Sequence, residues 1–298
     1  MHRRTVAQVL AAFDREIGLD VTVRAAHAGD GTASESNADA SATTRAQPRA
    51  AAPSAVSAAP ARVAAPARPQ PAGPRVEAPA PGWASQAGAG PGDARLAEIE
   101  SRHAATCPHC TTATAHARLV FGEGAPDARL MFVGEAPGEV EDRVGRPFVG
   151  PAGEKLDEMI AAMGLRRGEV YIANVLKSRP PGNREPLPEE VAACGPFLVE
   201  QILAIRPAAI VTLGGSATKM LLGTEAGITR MRGQWQRWTP PEGAGCDPIP
   251  VMPTYHPAFV LRTYTKEVRA QVWSDLRQVM AALGIEPRVR QEAPAPRS

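Results

Sequence analysis

The sequence predicts an α/β fold in which a parallel sheet is covered by helices on both faces. Three observations carry this. Apolar runs of strand length recur singly between stretches of helical periodicity, the pattern of βαβ units. Four such runs end at glycine, proline or polar turns, after Val133, Val175, Leu213 and Met252. Eleven of the 13 aromatic residues lie from Phe121 onward, as a single late core requires.

Taken in order, residues 94–106 suit a helix with Leu96, Ile99 and Ala105 inward, leading into Cys107-Pro-His-Cys110. Residues 118–121 read as a short edge strand, and 128–133 (ARLMFV) as a central one bounded by Pro126-Asp127 and Gly134. The loop that follows, up to Gly153, holds four further glycines, three prolines, four acids and Phe148. Between 153 and 164 the residues Leu156, Met159, Ile160 and Met163 share one helical face, and Gly164 is the stop. Residues 169–175 (EVYIANV) form the second strand, followed by a basic, turn-rich loop at 177–186. Pro188 opens a helix with acids in its first turn, where the helix dipole favours them. Residues 208–213 (AAIVTL) are the third strand, turned by Gly214-Gly215 into a helix at about 217–222. A basic and aromatic stretch at 227–238 precedes a fourth strand at 249–252, which ends in Pro253-Thr-Tyr-His-Pro257. A last helix, about 266–283, turns Val268, Val272, Leu276, Val279 and Leu283 inward.

The rest of the chain reads differently. Residues 1–27 contain a short amphipathic segment suited to docking. From 28 to 93 the chain is mostly Ala, Pro, Ser, Gly and Arg with no Ile, Leu, Met or Phe, too little apolar surface to offset ordering, so a disordered linker is expected. One domain follows at 94–287, then a disordered tail at 288–298. Net charge is +2, with 9 basic and 8 acidic residues in the first 93 and 24 and 23 in the remainder, so any nucleic-acid contact must come from a local patch. No apolar run is long enough to span a bilayer, and the N-terminus is a poor secretory signal. The expectation is a cytoplasmic, monomeric protein, with residues 1–93 as a tether to a replication or repair partner.

In an open parallel sheet the carboxyl ends of the strands share one edge, where ligands bind. This brings Glu135, Glu139, Glu141, Asp142, Phe148, Asn174, Arg179, Arg184 and His256 to one crevice. An aromatic face, a fixed amide and a histidine suit a planar heterocycle: stacking, one donor with one acceptor, and a donor to a carbonyl gaining charge. Arg179, Arg184, Arg230, Arg232 and Arg262 can supply phosphate contacts around it. The glycine turns alone would also suit nucleotide phosphates, but no GxGxxG or Walker sequence occurs. Four cysteines are too few to staple a chain of this size, and the CxxC at 107–110 reads as metal or cluster ligation first.

Three motifs, GEAPGEVEDRVGRPFVGPAG, YIANVLKSRPPGNREPLPEEVAACGPFLVEQI and MPTYHPAFVLR, strongly resemble the type-4 (iron–sulfur) uracil-DNA glycosylases. The resemblance covers about 107–283. It implies an α/β/α sandwich with a central, mainly parallel four-stranded sheet, and a DNA N-glycosylase acting on single-stranded or mismatched uracil in base excision repair. A catalytically weak or inactive nucleic-acid-binding relative is the alternative. By resemblance, Phe148 stacks on a flipped uracil, Asn174 reads its N3 and O4 edge, and His256 bonds O2 and stabilises the departing anion. Glu135 or Glu141, the latter taken first, orients water or stabilises the sugar, and the backbone of Glu135 and Ala136 lines the pocket. Phe259 or Leu261 is a wedge, with Arg262 on phosphate.

The family's [4Fe-4S] cluster has four cysteines. Cys107, Cys110 and Cys194 match three of these, and Ser178 stands at the remaining position. Serine is a poor ligand for a thiolate-preferring cluster. The cluster is retained with Ser178 or a substitute such as Cys246, or three cysteines hold a labile cluster or zinc, or the site is empty; a retained but labile cluster is the expectation. The loop PPGNREP lacks the histidine of the uracil-crosslinking branch, so stable attachment to DNA is not expected.

Overall fold

A computed structural model describes residues 92–112 and 116–286. The expected docking segment at 1–27, nearly all of the linker at 28–93, with any partner it tethers, and the tail at 288–298 lie outside the described residues.

Six strands form one sheet: β1 (Glu123–Gly124), β2 (Leu130–Gly134), β3 (Tyr171–Asn174), β4 (Ala209–Leu213), β5 (Gln236–Trp238) and β6 (Ile249–Thr254). Their order is β1-β3-β2-β4-β6-β5. The central four run parallel, in register Gly134↔Asn174, Phe132↔Val211 and Leu213↔Thr254 among others. These are the four strands read from the sequence. Two short antiparallel strands extend the sheet, β1 on β3 and β5 on β6. The edge strand expected at 118–121 is instead irregular, with Val120 N–H donating to Lys177 O at 2.7 Å. The edge begins two residues later because Gly124, at φ +135°, lies so close to the Val170 carbonyl that a Cβ would not fit. The stretch read as a basic rim supplies β5, which buries Trp238.

Among the described residues, eight α-helices cover the sheet: α1 (Gly92–Thr106), α2 (Glu139–Val144), α3 (Pro151–Ala162), α4 (Pro188–Ile205), α5 (Gly215–Leu222), α6 (Ile228–Met231), α7 (Pro257–Arg262) and α8 (Lys266–Leu283). Strand side chains alternate between faces, so consecutive apolar residues feed two cores. Leu130 and Phe132 of β2 join Leu156 and Ile160 of α3 and Val272 and Leu276 of α8. Met131 and Val133 join Leu96 and Ile99 of α1, Leu198 and Ile202 of α4 and Ala217 of α5. The result is the three-layer α/β/α arrangement the resemblance implied. None of the helices is long and apolar enough to cross a membrane, among the described residues.

In α1 the inward face runs Leu96, Ile99, His103, and Ala105 is exposed. The expectation for Ala105 fails because 99 to 103 is one helical turn, whereas 105 lies on the opposite side of the barrel of side chains.

Candidate active site and metal centre

The parallel pairing of β2 and β3 sets Gly134 beside Asn174, and the ladder continues past both strands. Val175 N–H donates to Gly134 O at 3.0 Å and Leu176 N–H to Glu135 O at 3.1 Å. Asn174 is thereby held at the carboxyl edge with its side chain 2 % exposed. Its Oδ1 is buried and has no hydrogen-bond partner among the described residues. An unpaired buried amide oxygen costs about 1–3 kcal/mol, which a ligand's N–H would recover.

Phe148 faces the same point. It is buried at φ +49°, in the left-handed region a bulky residue rarely occupies. Arg167 and Glu141 hold the segment there, and Gly153 leaves room for it. Arg167 Nη1 donates to Phe148 O at 3.0 Å, and Arg167 Nη2 to Pro147 O. Glu141 Oε1 accepts the N–H groups of Val149 and Gly150, both at 2.9 Å. Gly153, in the first turn of α3, has no Cβ to strike the Phe148 carbonyl. Arg167 is itself fixed by Glu123 at 2.9 Å and Asp157 at 2.7 Å.

His256 closes the group. It is the N-cap of α7, and its Nδ1 accepts from Ala258 N–H at 3.1 Å. With Nδ1 as acceptor, the proton of the neutral ring is on Nε2, which is left to donate. Burial, helped by the Arg262 charge, lowers its pKa from 6.5 to about 4, against an opposing pull from Glu141. The ring is 5.6 Å from that of Phe148, centroid to centroid, and tilted by 33°. Glu135 is half-buried on the loop after β2, and its pKa is raised chiefly by burial, partly offset by a hydrogen bond with Ser216.

A second cluster lies in the layer of α1 and α4. One ligand atom from each of His103, Cys107, Cys110 and Cys194 lies within 4.8 Å of all the others, and all four residues are buried. Cys110 Sγ is 3.6 Å from Cys194 Sγ and 3.3 Å from Ser178 Oγ, and Cys194 Sγ is 3.6 Å from His103 Nε2. The Cys110 thiol is pushed down to about 3 by its hydrogen bond to Cys194, with His103 and Ser178 adding to this against burial. Cys194 is raised in turn by the same hydrogen bond and by burial. Three thiols and an imidazole form a soft sulfur–nitrogen donor set, compatible with a metal centre, an iron–sulfur cluster included. Cys246, named above as a substitute ligand, is outside this cluster; its thiol bonds Asp247 O at 3.3 Å.

Residues 121–277 match the model of the uracil DNA glycosylase superfamily. The chain belongs to that superfamily. It is 44% identical to the type-4 uracil-DNA glycosylase of Thermotoga maritima over 184 residues, covering 61% of this chain and 92% of that one. The type-4 uracil-DNA glycosylase of Sulfurisphaera tokodaii is 43% identical over 188 residues (61% and 82%), and that of Archaeoglobus fulgidus 42% over 185 (60% and 88%).

In this superfamily member the expected rim residues divide. Arg184 is turned to Glu190, bonding it at 2.6 and 2.8 Å, and that pairing takes the Glu190 carboxyl down to about 2. Arg232 is paired with Asp275 behind the sheet edge. Arg179 bonds Asn183 Oδ1 at 2.7 Å and lies 3.7 Å from Glu139. Arg262 is exposed at the end of α7, and Leu261 beside it is 38 % exposed. Phe259, in contrast, packs its ring 4.8 Å from that of Tyr255. Ala136 is half-buried against the second core.

Two residues at the cysteine cluster carry no motif, one beside it and one within it. Lys177 is completely buried; its Nζ donates to Asn174 O at 2.7 Å and to Gln201 Oε1 at 2.5 Å. Its own N–H donates to Cys194 Sγ at 3.2 Å. Burial lowers its pKa to about 8, opposed by the side chains of Cys194 and Cys110. The other, His103, had a readable signal: it lies one turn after Ile99 and one turn before Cys107.

Proposed function

We propose that this chain is a uracil-DNA glycosylase that takes uracil out of single-stranded or mismatched DNA and hydrolyses its N-glycosidic bond. The observation that carries the reading is the unpaired, buried Oδ1 of Asn174 beside Phe148 and the Nε2–H of His256. Uracil brings the complementary groups: an N3–H for the amide oxygen, an O4 for the amide donor and an O2 for the imidazole. Cytosine, lacking the N3–H, leaves the amide oxygen unpaired, a loss that a buried site discriminates against strongly.

As the bond between N1 and the sugar breaks, negative charge builds on the base and His256 Nε2–H stabilises it at O2. A donor placed in advance in this way is worth about 10²–10³-fold in rate. A neutral imidazole suits the task, since it donates without giving up its proton. Water adds to the sugar carbon, and the proton it loses passes to a carboxylate. The resemblance implies Glu141 first for this role. Its engagement with the Val149 and Gly150 N–H groups favours instead a loop-holding role. Glu135, whose raised pKa suits a general base, is the residue proposed to position the water.

Extrusion of the base costs a few kcal/mol and is easier from single strands or mismatches. The exposure of Leu261 favours it over Phe259 as the wedge, with Arg262 and Arg179 on phosphate. The second cluster is proposed to hold the [4Fe-4S] cluster, with Cys107, Cys110 and Cys194 as ligands. When bound, the cluster supplies a cross-link between α1 and α4 and a one-electron couple.

The test is uracil release from single-stranded and U·G oligonucleotides. Wild-type protein gives alkali-labile sites on both, His256→Ala and Phe148→Ala lose most of the activity, and cytosine substrates are untouched. Absence of release from metal-loaded wild-type protein would sink the enzymatic reading in favour of a binding-only relative.

A further inference from the structure

We infer that the fourth ligand of the metal centre is His103, so that this chain carries a Cys3His site in which Ser178 is a hydrogen-bonding neighbour. The inference rests on the metal reading above.

Three observations on His103 lead to it. His103 is completely buried, on the inward face of α1, in a position that periodicity would give to an aliphatic residue. Its Nε2 faces Cys194 Sγ at 3.6 Å, and one of its ring nitrogens lies within 4.8 Å of all three sulfurs. A single turn of helix separates it from Cys107, placing both residues on one face of the chain as it leaves α1. The surroundings hold the ring in place. Phe197 meets it edge-on at 4.8 Å between centroids. Its Nδ1 has no hydrogen-bond partner among the described residues. A buried imidazole with one nitrogen unpaired and the other aimed at thiols has little else to do than bind through the latter.

Ser178 is the competing ligand. Its Oγ lies 3.3 Å from Cys110 Sγ, which is hydrogen-bonding distance to a thiolate. A hydroxyl does not ionise in the range where imidazole offers a free lone pair, and it is a hard donor among soft ones. Ser178 and the Lys177 N–H, which meets Cys194 Sγ, are both placed to donate to ligand sulfur. Such donation tunes a centre from its second layer of contacts.

Replacement of one thiolate by a neutral nitrogen removes one negative charge from the ligand set, which raises the reduction potential of an iron–sulfur centre. Metal-bound histidines ordinarily donate their second N–H to a polar partner, which strengthens the bond. With Nδ1 unpartnered, the nitrogen bond is the weak one, and the centre loses metal more readily than an all-thiolate site.

The experiment uses the full chain, purified without oxygen and reconstituted with iron and sulfide. Wild type, His103→Ala, Ser178→Ala and the double variant His103→Ala/Ser178→Cys are compared for iron and acid-labile sulfide per chain. Circular dichroism establishes that each is folded. The expected result is about a tenfold loss of retained iron in His103→Ala, near-wild-type retention in Ser178→Ala, and recovery in the double variant, whose ligands are four thiolates. Pulsed electron paramagnetic resonance of the reduced wild type shows a directly bound nitrogen, absent from the double variant. Full retention in His103→Ala with loss in Ser178→Ala, or no nitrogen coupling in wild type, overturns the assignment. The cluster reading fails separately if wild type carries one zinc and no sulfide. In that case zinc loss in His103→Ala still supports the ligand and zinc retention still overturns it.

Discussion

Gly134→Ala should abolish most activity while leaving the protein folded. A Cβ built on Gly134 would stand 2.5 Å from Phe148 Cζ and 2.8 Å from Cε2, and closer still to Asn174 Oδ1. Ordinary carbon contacts begin near ~3.5 Å, so the ring or the amide must retreat by about 1 Å. The backbone raises no objection, because Gly134 is within β2 and is not among the glycines at positive φ. Neither neighbour moves freely, since Phe148 is held by Arg167 and Glu141 and Asn174 by its strand. Overpacking of this kind costs about 1–3 kcal/mol of stability. A misplacement of about 1 Å in a group that positions the substrate costs about 10²-fold in rate, or about 2.7 kcal/mol of barrier. Single-turnover excision from a uracil-containing single strand, with thermal melting beside it, separates the two. A variant within threefold of wild type would mean that the gap between Phe148 and Asn174 does not receive the base. A variant that fails to fold would mean that Gly134 is a packing residue.

The depressed pKa of His256 predicts that this residue adds no acid limb to the pH–rate profile above about pH 5, so any limb there belongs to Glu135, whose carboxyl pKa is raised by burial. With a folded value of about 4 against 6.5 when unfolded, the ring stays neutral from about pH 5 upward. The folded state binds fewer protons than the unfolded one between those two values. Stability from this group is therefore complete above 6.5 and is lost as the pH falls toward 4. An acid limb with a midpoint near 6.5 that disappears in His256→Gln would contradict the assignment. Arg167→Lys replaces a fork reaching two carbonyls and two carboxylates with a single point charge, and should lower excision about tenfold by releasing the strained Phe148 backbone. In a Phe148→Ala background the same change should have little further effect on rate, and an additive loss would show that Arg167 acts elsewhere.

The central strands were legible because each is buried on both faces, so that ARLMFV, EVYIANV and AAIVTL are apolar without alternation. Their shared carboxyl edge then brought Asn174, Phe148 and His256 together with no three-dimensional information. The edge strands were not legible. β1 has two residues and exists through glycine conformations, and β5 has three residues within a stretch whose arginines suggested a surface. Side-chain destinations were harder still. Arg184 and Arg232 read as free cations, yet each is paired with a carboxylate that lies six residues away in one case and 43 in the other. His103 falls on the inward helical period, yet a buried histidine has no compositional signature until the cysteines around it are placed in space.

Lys177 gives the molecule an internal lever. One end of this residue touches a cluster sulfur through its N–H, and the other holds the carbonyl of Asn174 through its ammonium. The ammonium is fully buried, and the side chains of Cys194 and Cys110 oppose the effect of that burial on its charge. On the metal reading proposed above, a change in the occupancy of that centre acts on Lys177 and, through it, on the carbonyl of Asn174. On that reading, removal of the metal should weaken binding of a uracil-containing strand, which a binding titration before and after chelation checks.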